Sequence, residues 1–187
     1  MIKSEEQYIE QGCKKGDRKS QASLYSKVSP RMLSIAIRYL GDKAQAEDLL
    51  HDTFLKIFDK IDKFKYTGKN SLYAWCCRIM QNESLQYLRK KKILLDFDDI
   101  KEEQIDTKNP EDDDSFKKVP RDVLFSFIAE LPDGYRTIFN MYVFEKYTHK
   151  EIAQELGVKE KSSASQLVRA KSKLIEKIND YLKKEER

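Results

Sequence analysis

Glycine and proline are scarce in this chain, at 6 and 4 of 187 residues, and so are the residues that most often carry chemistry: 3 cysteines, 2 histidines and 1 tryptophan. Few breakers leave long uninterrupted stretches, which favours helix over a turn-rich β fold. An odd cysteine count, with Cys76 and Cys77 adjacent, excludes a disulfide framework and fits a reducing compartment. His51 and His149 have no Cys or His at ligand spacing, and no glycine-rich phosphate loop is present. Asp48, His51 and Asp52 share the i, i+3, i+4 spacing of a helical metal site, a pattern that surface helices also produce by chance. No cofactor, metal, small-molecule substrate or catalytic residue is therefore expected. No apolar run approaches the ~20 residues that span a bilayer, and the opening MIKSEEQYIEQG lacks the apolar core of a signal peptide. The expectation is a cytoplasmic protein without membrane insertion.

What the chain has in abundance is charge, 36% of all residues, and its distribution is informative. Residues 1–95 carry 19 Lys/Arg against 11 Asp/Glu, residues 96–114 carry 2 against 10, and residues 115–187 carry 15 against 11. The overall +4 therefore conceals segments of +8, −8 and +4. Two basic blocks joined by an acidic strap point to a polyanionic partner.

The first block reads as helices. From Asp17 as N-cap, Leu24, Val28, Met32, Ile35 and Tyr39 recur at steps of three and four, with a second stripe at Leu33, Ile37 and Leu40. Gly41 closes this helix. Asp42 caps the next, roughly 43–60, whose core stripe is Ala46, Leu50, Phe54, Ile57 and Ile61. A loop around Lys63–Asn70 follows, and Asn70 or Ser71 caps a long helix that ends in the cations Arg89 to Lys92, favourable at a helix C-terminus. Residues 93–119 are acidic, poor in large apolar residues and punctuated by Pro110 and Pro120, the composition of a flexible linker. Beyond Pro120, a short helix carries Leu124, Phe127, Ile128 and Leu131. A turn at 131–134 and a helix near 135–146 come next. Thr148-His149-Lys150-Glu151 is a capping box. Gly157 supplies a tight turn, and Ser162 or Ser163 caps a final helix with Leu167, Ala170, Leu174, Ile178 and Tyr181 inside. The fold class is all-α: two small helical domains, 1–92 and 120–187, joined by the acidic linker 93–119.

Three faces are candidates for function. The segment 148–173 has the plan of a helix-turn-helix: a short capped helix, a glycine turn and a longer amphipathic helix. Its second helix presents Ser162, Ser165 or Gln166, Arg169 and Lys173, side-chain types that bond phosphates and base edges; Lys161 and Ser163 adjoin them. The helix 70–92 presents Arg78, Asn82, Gln86 and Arg89 on one side, with Trp75 nearby and Lys65, Tyr66, Lys69 and Asn70 leading into it. Aromatics interleaved with cations suit unstacked bases; a solvated face over a core tryptophan is the plainer alternative. The helix 43–60 sets Asp48, His51, Asp52, Leu55 and Phe58 opposite its core stripe, an acidic and apolar face of protein-binding character. A dimeric repressor needs a dimerisation seam that is not evident, and a single-strand RNA binder leaves the helix-turn-helix without a purpose.

Gly41-Asp42 followed by AEDLLHDTFLKIF (46–58), WCCRIMQNESLQYLRKKK (75–92), LPDGYRTIFNMYVFEKYTHKEIAQELGV (131–158) and SQLVRAKSKL (165–174) closely resemble the extracytoplasmic-function sigma factors of bacterial RNA polymerase. The resemblance implies a division of labour. Asp48, His51, Asp52, Leu55 and Phe58 would dock on the β′ clamp helices of core polymerase. Lys65, Tyr66, Lys69, Asn70, Trp75, Arg78, Asn82, Gln86 and Arg89 would melt and read the −10 element. Lys161, Ser162, Ser163, Ser165, Gln166, Arg169 and Lys173 would read the −35 element, in the domain that meets the β flap. The linker would follow a basic path near the active-site cleft, and an anti-sigma protein is an expected further partner. Gln86 stands where the family often has Asp, Lys161 where it often has Gly and Ala164 where it often has a basic residue. The mode of DNA binding carries over, and the base preferences do not.

Overall fold

The computed structural model describes residues 4–90 and 118–185. Among them the chain is helical, without strands, and it divides into two compact units, Met1–Tyr87 and Leu88–Arg187. The expected linker at 93–119 falls almost wholly within 91–117, outside the described residues. No described helix is long and apolar enough to cross a membrane.

The first unit holds α1 (Glu5–Lys14), α2 (Arg18–Leu40), α3 (Lys43–Lys60), a 3₁₀ turn (Ile61–Lys63) and most of α4 (Ser71–Lys90). The periodicities that predict α2 and α3 are realised. Leu24, Val28, Met32, Ile35 and Tyr39 are buried, as are Ala46, Leu50, Phe54, Ile57 and Ile61. Each of the larger side chains contributes about 1.5–3 kcal/mol by leaving water. The Asp17 carboxylate accepts from Ser20 N–H at 2.9 Å and that of Asp42 from Gln45 N–H at 2.8 Å. Gly41 ends α2 at φ 72°, its N–H reaching the Ile37 carbonyl. α2 runs on through Pro30, which the usual helix-breaking effect of proline does not anticipate; tertiary packing on both sides overrides the lost hydrogen bond.

α1 is the element that sequence periodicity does not reveal. Ser4 and Gln7 form a capping box, and the helix buries Ile9 and Cys13 together with two glutamates, Glu6 and Glu10. Where α1 crosses α2, a β-carbon at Gly12 would stand 1.9 Å from Ser20 Oγ and 2.5 Å from its Cβ. Only glycine permits that approach.

The second unit holds α5 (Arg121–Ala129), α6 (Asp133–Phe139), a π-helical turn (Asn140–Phe144), α7 (His149–Leu156) and α8 (Glu160–Glu185). The expected turn at 131–134 is tighter than its sequence suggests, because Asp133 and Gly134 already belong to α6. The helix expected at 135–146 changes to π geometry at Asn140. Arg136 organises this corner. Its guanidinium, 4% exposed, donates to the carbonyls of Ala129 at 2.9 Å and Leu131 at 2.7 Å and pairs with Asp133. The last carbonyl of α5 and that of Leu131 just beyond it are thereby satisfied by a cation, as helix C-termini prefer.

Candidate nucleic-acid interface

α4 builds the longest polar face. Arg78, Asn82, Gln86 and Arg89 are all exposed, spaced by four, four and three residues, so they share one side. The opposite side carries Leu72, Cys76, Met80 and Ser84, which are buried. Trp75, three residues before Arg78, lies on the polar side but is half-buried, its ring tilted at 45° against Phe64 with centroids 5.2 Å apart. It is neither a core residue nor a free platform.

The loop 64–70 that precedes α4 presents Lys65, Lys69 and Asn70 to solvent, with Tyr66 half-buried and its hydroxyl 3.4 Å from Ser4 Oγ. Asn70 has φ 64°, left-handed, and a self-capping residue adopts extended geometry instead. The cap expected from Asn70 or Ser71 comes from elsewhere. The Glu6 carboxylate accepts from Asn70 N–H and Leu72 N–H, both at 2.6 Å. Two charge-assisted bonds at a helix N-terminus, where the macrodipole favours an anion, compensate the burial of that charge. Glu6 was invisible to sequence reasoning because it acts across 64 positions of chain. The same holds for a cleft of about 230 Å³ lined by Lys27, Arg31, Asn70 and Tyr73, which needs α2 and α4 side by side.

On α3, Asp48, His51 and Asp52 are exposed and Leu55 is 70% exposed. Leu55 is thus not packed against the preceding helix. Phe58 is half-buried, its ring 5.9 Å from that of Phe54. Among the described residues no group of His, Cys, Asp and Glu is arranged to hold a metal ion.

In the second unit the helix-turn-helix forms as its capping box predicts. Thr148 N–H donates to Glu151 Oε2 at 2.8 Å, Glu151 N–H returns to Thr148 Oγ1 at 3.3 Å, and Gly157 turns the chain at φ 71°. Two expectations need correction. α8 begins at Glu160, so neither Ser162 nor Ser163 is its cap; Glu160 in the first turn suits the helix dipole as an acidic residue should. Ser163 and Gln166, expected on the DNA-facing side, are 0% and 4% exposed. They continue the buried stripe of Leu167, Ala170 and Leu174 at steps of three and four. Ser163 Oγ instead meets His149 Nδ1 at 3.0 Å. Lys161, Ser165 and Lys173 are exposed and Ser162 and Arg169 are half-exposed, which narrows the outward face to these five.

The sequence matches the family models for Sigma-70 region 2 over residues 24–93 and Sigma-70, region 4 over residues 121–174, together two thirds of the chain. It is similar to the ECF RNA polymerase sigma factor SigM of Bacillus subtilis, 28% identical over 134 residues that cover 71% of this chain and 79% of that protein. The ECF RNA polymerase sigma factor SigW of the same organism is 25% identical over 178 residues, 89% of this chain and 93% of the other. A solved complex of the sigma factor RpoE with the anti-sigma factor NepR from Bartonella quintana is similar with a TM-score of 0.46 at 22% identity, over 81% of this chain and 92% of that one. The chain belongs to the sigma-70 family in its extracytoplasmic-function branch: it is an alternative sigma factor, an initiation factor rather than an enzyme, which binds core RNA polymerase and directs it to promoter DNA.

Proposed function

We propose that this sigma factor divides its work among three faces. Residues 1–92 carry two of them. The α3 face of Asp48, His51, Asp52, Leu55 and Phe58 docks on the β′ clamp helices. The loop and α4 face of Lys65, Tyr66, Lys69, Asn70, Trp75, Arg78, Asn82, Gln86 and Arg89 captures the −10 element as it unstacks. Residues 120–187 carry the third, in which Lys161, Ser162, Ser165, Arg169 and Lys173 meet the −35 element and the domain approaches the β flap. Residues 93–119 connect them along a cationic path of the polymerase. The protein works in the cytoplasm. When not engaged by polymerase it is held by an anti-sigma protein, and a leucine as exposed as Leu55 gives such a partner an apolar anchor.

The observation that carries this reading is the α4 face. Four polar residues exposed in one line, continuous with a loop of cations and an aromatic, match what single-stranded bases need: positive charge along the backbone and rings to stack on. Melting is then driven by capture of unpaired bases, with no covalent step. Run-off transcription with core polymerase, with and without the chain, tests it. A chain-dependent transcript starting at a fixed distance from a shared pair of elements is expected. Tight duplex binding by the chain alone with no such transcript would sink the reading.

A further inference from the structure

α1 lies ahead of the segment matched to Sigma-70 region 2, which begins at residue 24, yet it holds the loop 64–70 at three points. Lys14 Nζ donates to the Phe64 carbonyl at 2.8 Å and is itself paired with the nearly buried Glu10 at 2.7 Å. Ser4 Oγ meets Tyr66 Oη at 3.4 Å. Glu6, 6% exposed, takes the amides of Asn70 and Leu72. The two firmest contacts fall at the two ends of the loop. From these contacts we propose that α1 is a brace for the melting loop, with Glu6 and Lys14 as positioning residues for promoter opening. The inference rests on the reading above that Lys65, Tyr66, Lys69 and Asn70 capture bases.

The physical reason is preorganisation. An unbraced loop samples many backbone states, and only those matching the flipped strand contribute to capture, so fixing its ends raises the competent fraction. Glu6 does more than close a helix. Its bond to the Asn70 amide holds a non-glycine residue in the left-handed region, which is uncommon and needs support from its surroundings. By capping α4 from outside, Glu6 also relieves Asn70 of that duty and leaves it exposed at the rim. Each oxygen of this buried carboxylate accepts one of the two N–H donors.

The test uses holoenzyme reconstituted from core polymerase and full-length variants, on a promoter recovered by run-off. Glu6→Ala and Lys14→Met should leave core affinity and duplex binding within about twofold while slowing opening, read by permanganate reactivity of −10 thymines, by roughly tenfold. Glu6→Gln keeps one acceptor oxygen for one of the two amides and should fall between Glu6→Ala and the parent. Trp75, the single tryptophan, touches Phe64, so Lys14→Met should shift its emission to the red in the free protein. Unchanged opening by Glu6→Ala overturns the brace; so does a loss of core affinity equal to the loss of opening, which marks a merely structural role. Tyr66→Ala and Lys69→Ala separate the two ideas. If they slow opening while Glu6→Ala does not, the brace alone fails; if they too open at the parental rate, the capture reading fails and the brace with it.

Discussion

His149 Nδ1 lies 3.0 Å from Ser163 Oγ, joining the first residue of α7 to the first turn of α8. The imidazole also stacks on Tyr142 of the π-helical turn, centroids 4.7 Å apart at 20°. One ring thus sets the angle between the two helices of the helix-turn-helix and anchors both to the turn before them. Ser163→Ala removes the bond without adding bulk and should destabilise the protein by about 1 kcal/mol, seen in thermal unfolding. Transcription from a −35-dependent promoter should fall while core affinity stays at the parental value. Parental transcription would show that the helix angle is fixed by packing alone.

Leu55 is the residue on which the α3 face can be tested most cleanly. At 70% exposure it contributes almost nothing to the core, so Leu55→Glu should keep the parental melting temperature. A carboxylate added at the centre of an apolar interface leaves a charge buried without a partner, and affinity for core polymerase should fall at least tenfold. Co-purification with core at the parental level would remove Leu55 from the docking face.

Arg169 and Gln166 are three positions apart, the first half-exposed and the second buried. Arg169→Ala should cost roughly 1–3 kcal/mol of promoter affinity or lower the salt slope by about one, with little change in folding. Gln166→Ala, from a buried position, should lower the melting temperature and leave the salt slope alone. Filter binding across a salt series, run beside thermal unfolding, separates them. Equal effects of the two on DNA affinity would contradict the face assigned to α8.

The thiols give a third kind of prediction. Cys13, Cys76 and Cys77 are free and buried. Burial pushes the Cys76 thiol up to about 12 and that of Cys13 up to about 11. The reactive thiolate is therefore nearly absent at neutral pH. A colorimetric thiol reagent at pH 8 should find essentially no reactive group in the native protein and all 3 after denaturation. Rapid native labelling of Cys76 or Cys77 would point to a local opening of α4, and of Cys13 to one of α1.

Much of the fold was legible because its main helices obey local rules. α2 and α3 carry unbroken apolar stripes between aspartate caps and, for α2, a terminal glycine, and Thr148 to Glu151 writes its own capping box. The acidic-apolar face of α3 and the polar stripe of α4 followed from the same periodicity. What escaped was non-local. α1 has few apolar residues and buries two carboxylates, so it shows no stripe, and the loop residues that Glu6 and Lys14 hold lie 64 and 50 positions away. Gln166 and Ser163 misled for the opposite reason: polar side chains at core positions look like surface. The paired serines at 162 and 163 suggested a cap, while the helix had already begun at Glu160.

Gly12 gives α1 a mechanical meaning. The helix rests on α2 at a point where not even a methyl group fits, and Glu6 lies six residues before it, about 9 Å along the axis. That contact is a fulcrum, with the Asn70 end of the loop at the far end of the lever. Any side chain wedged in at position 12 would tilt the arm and lift the carboxylate from its two amides. On the proposed brace, Gly12→Ala should therefore slow promoter opening without altering any residue of the loop itself.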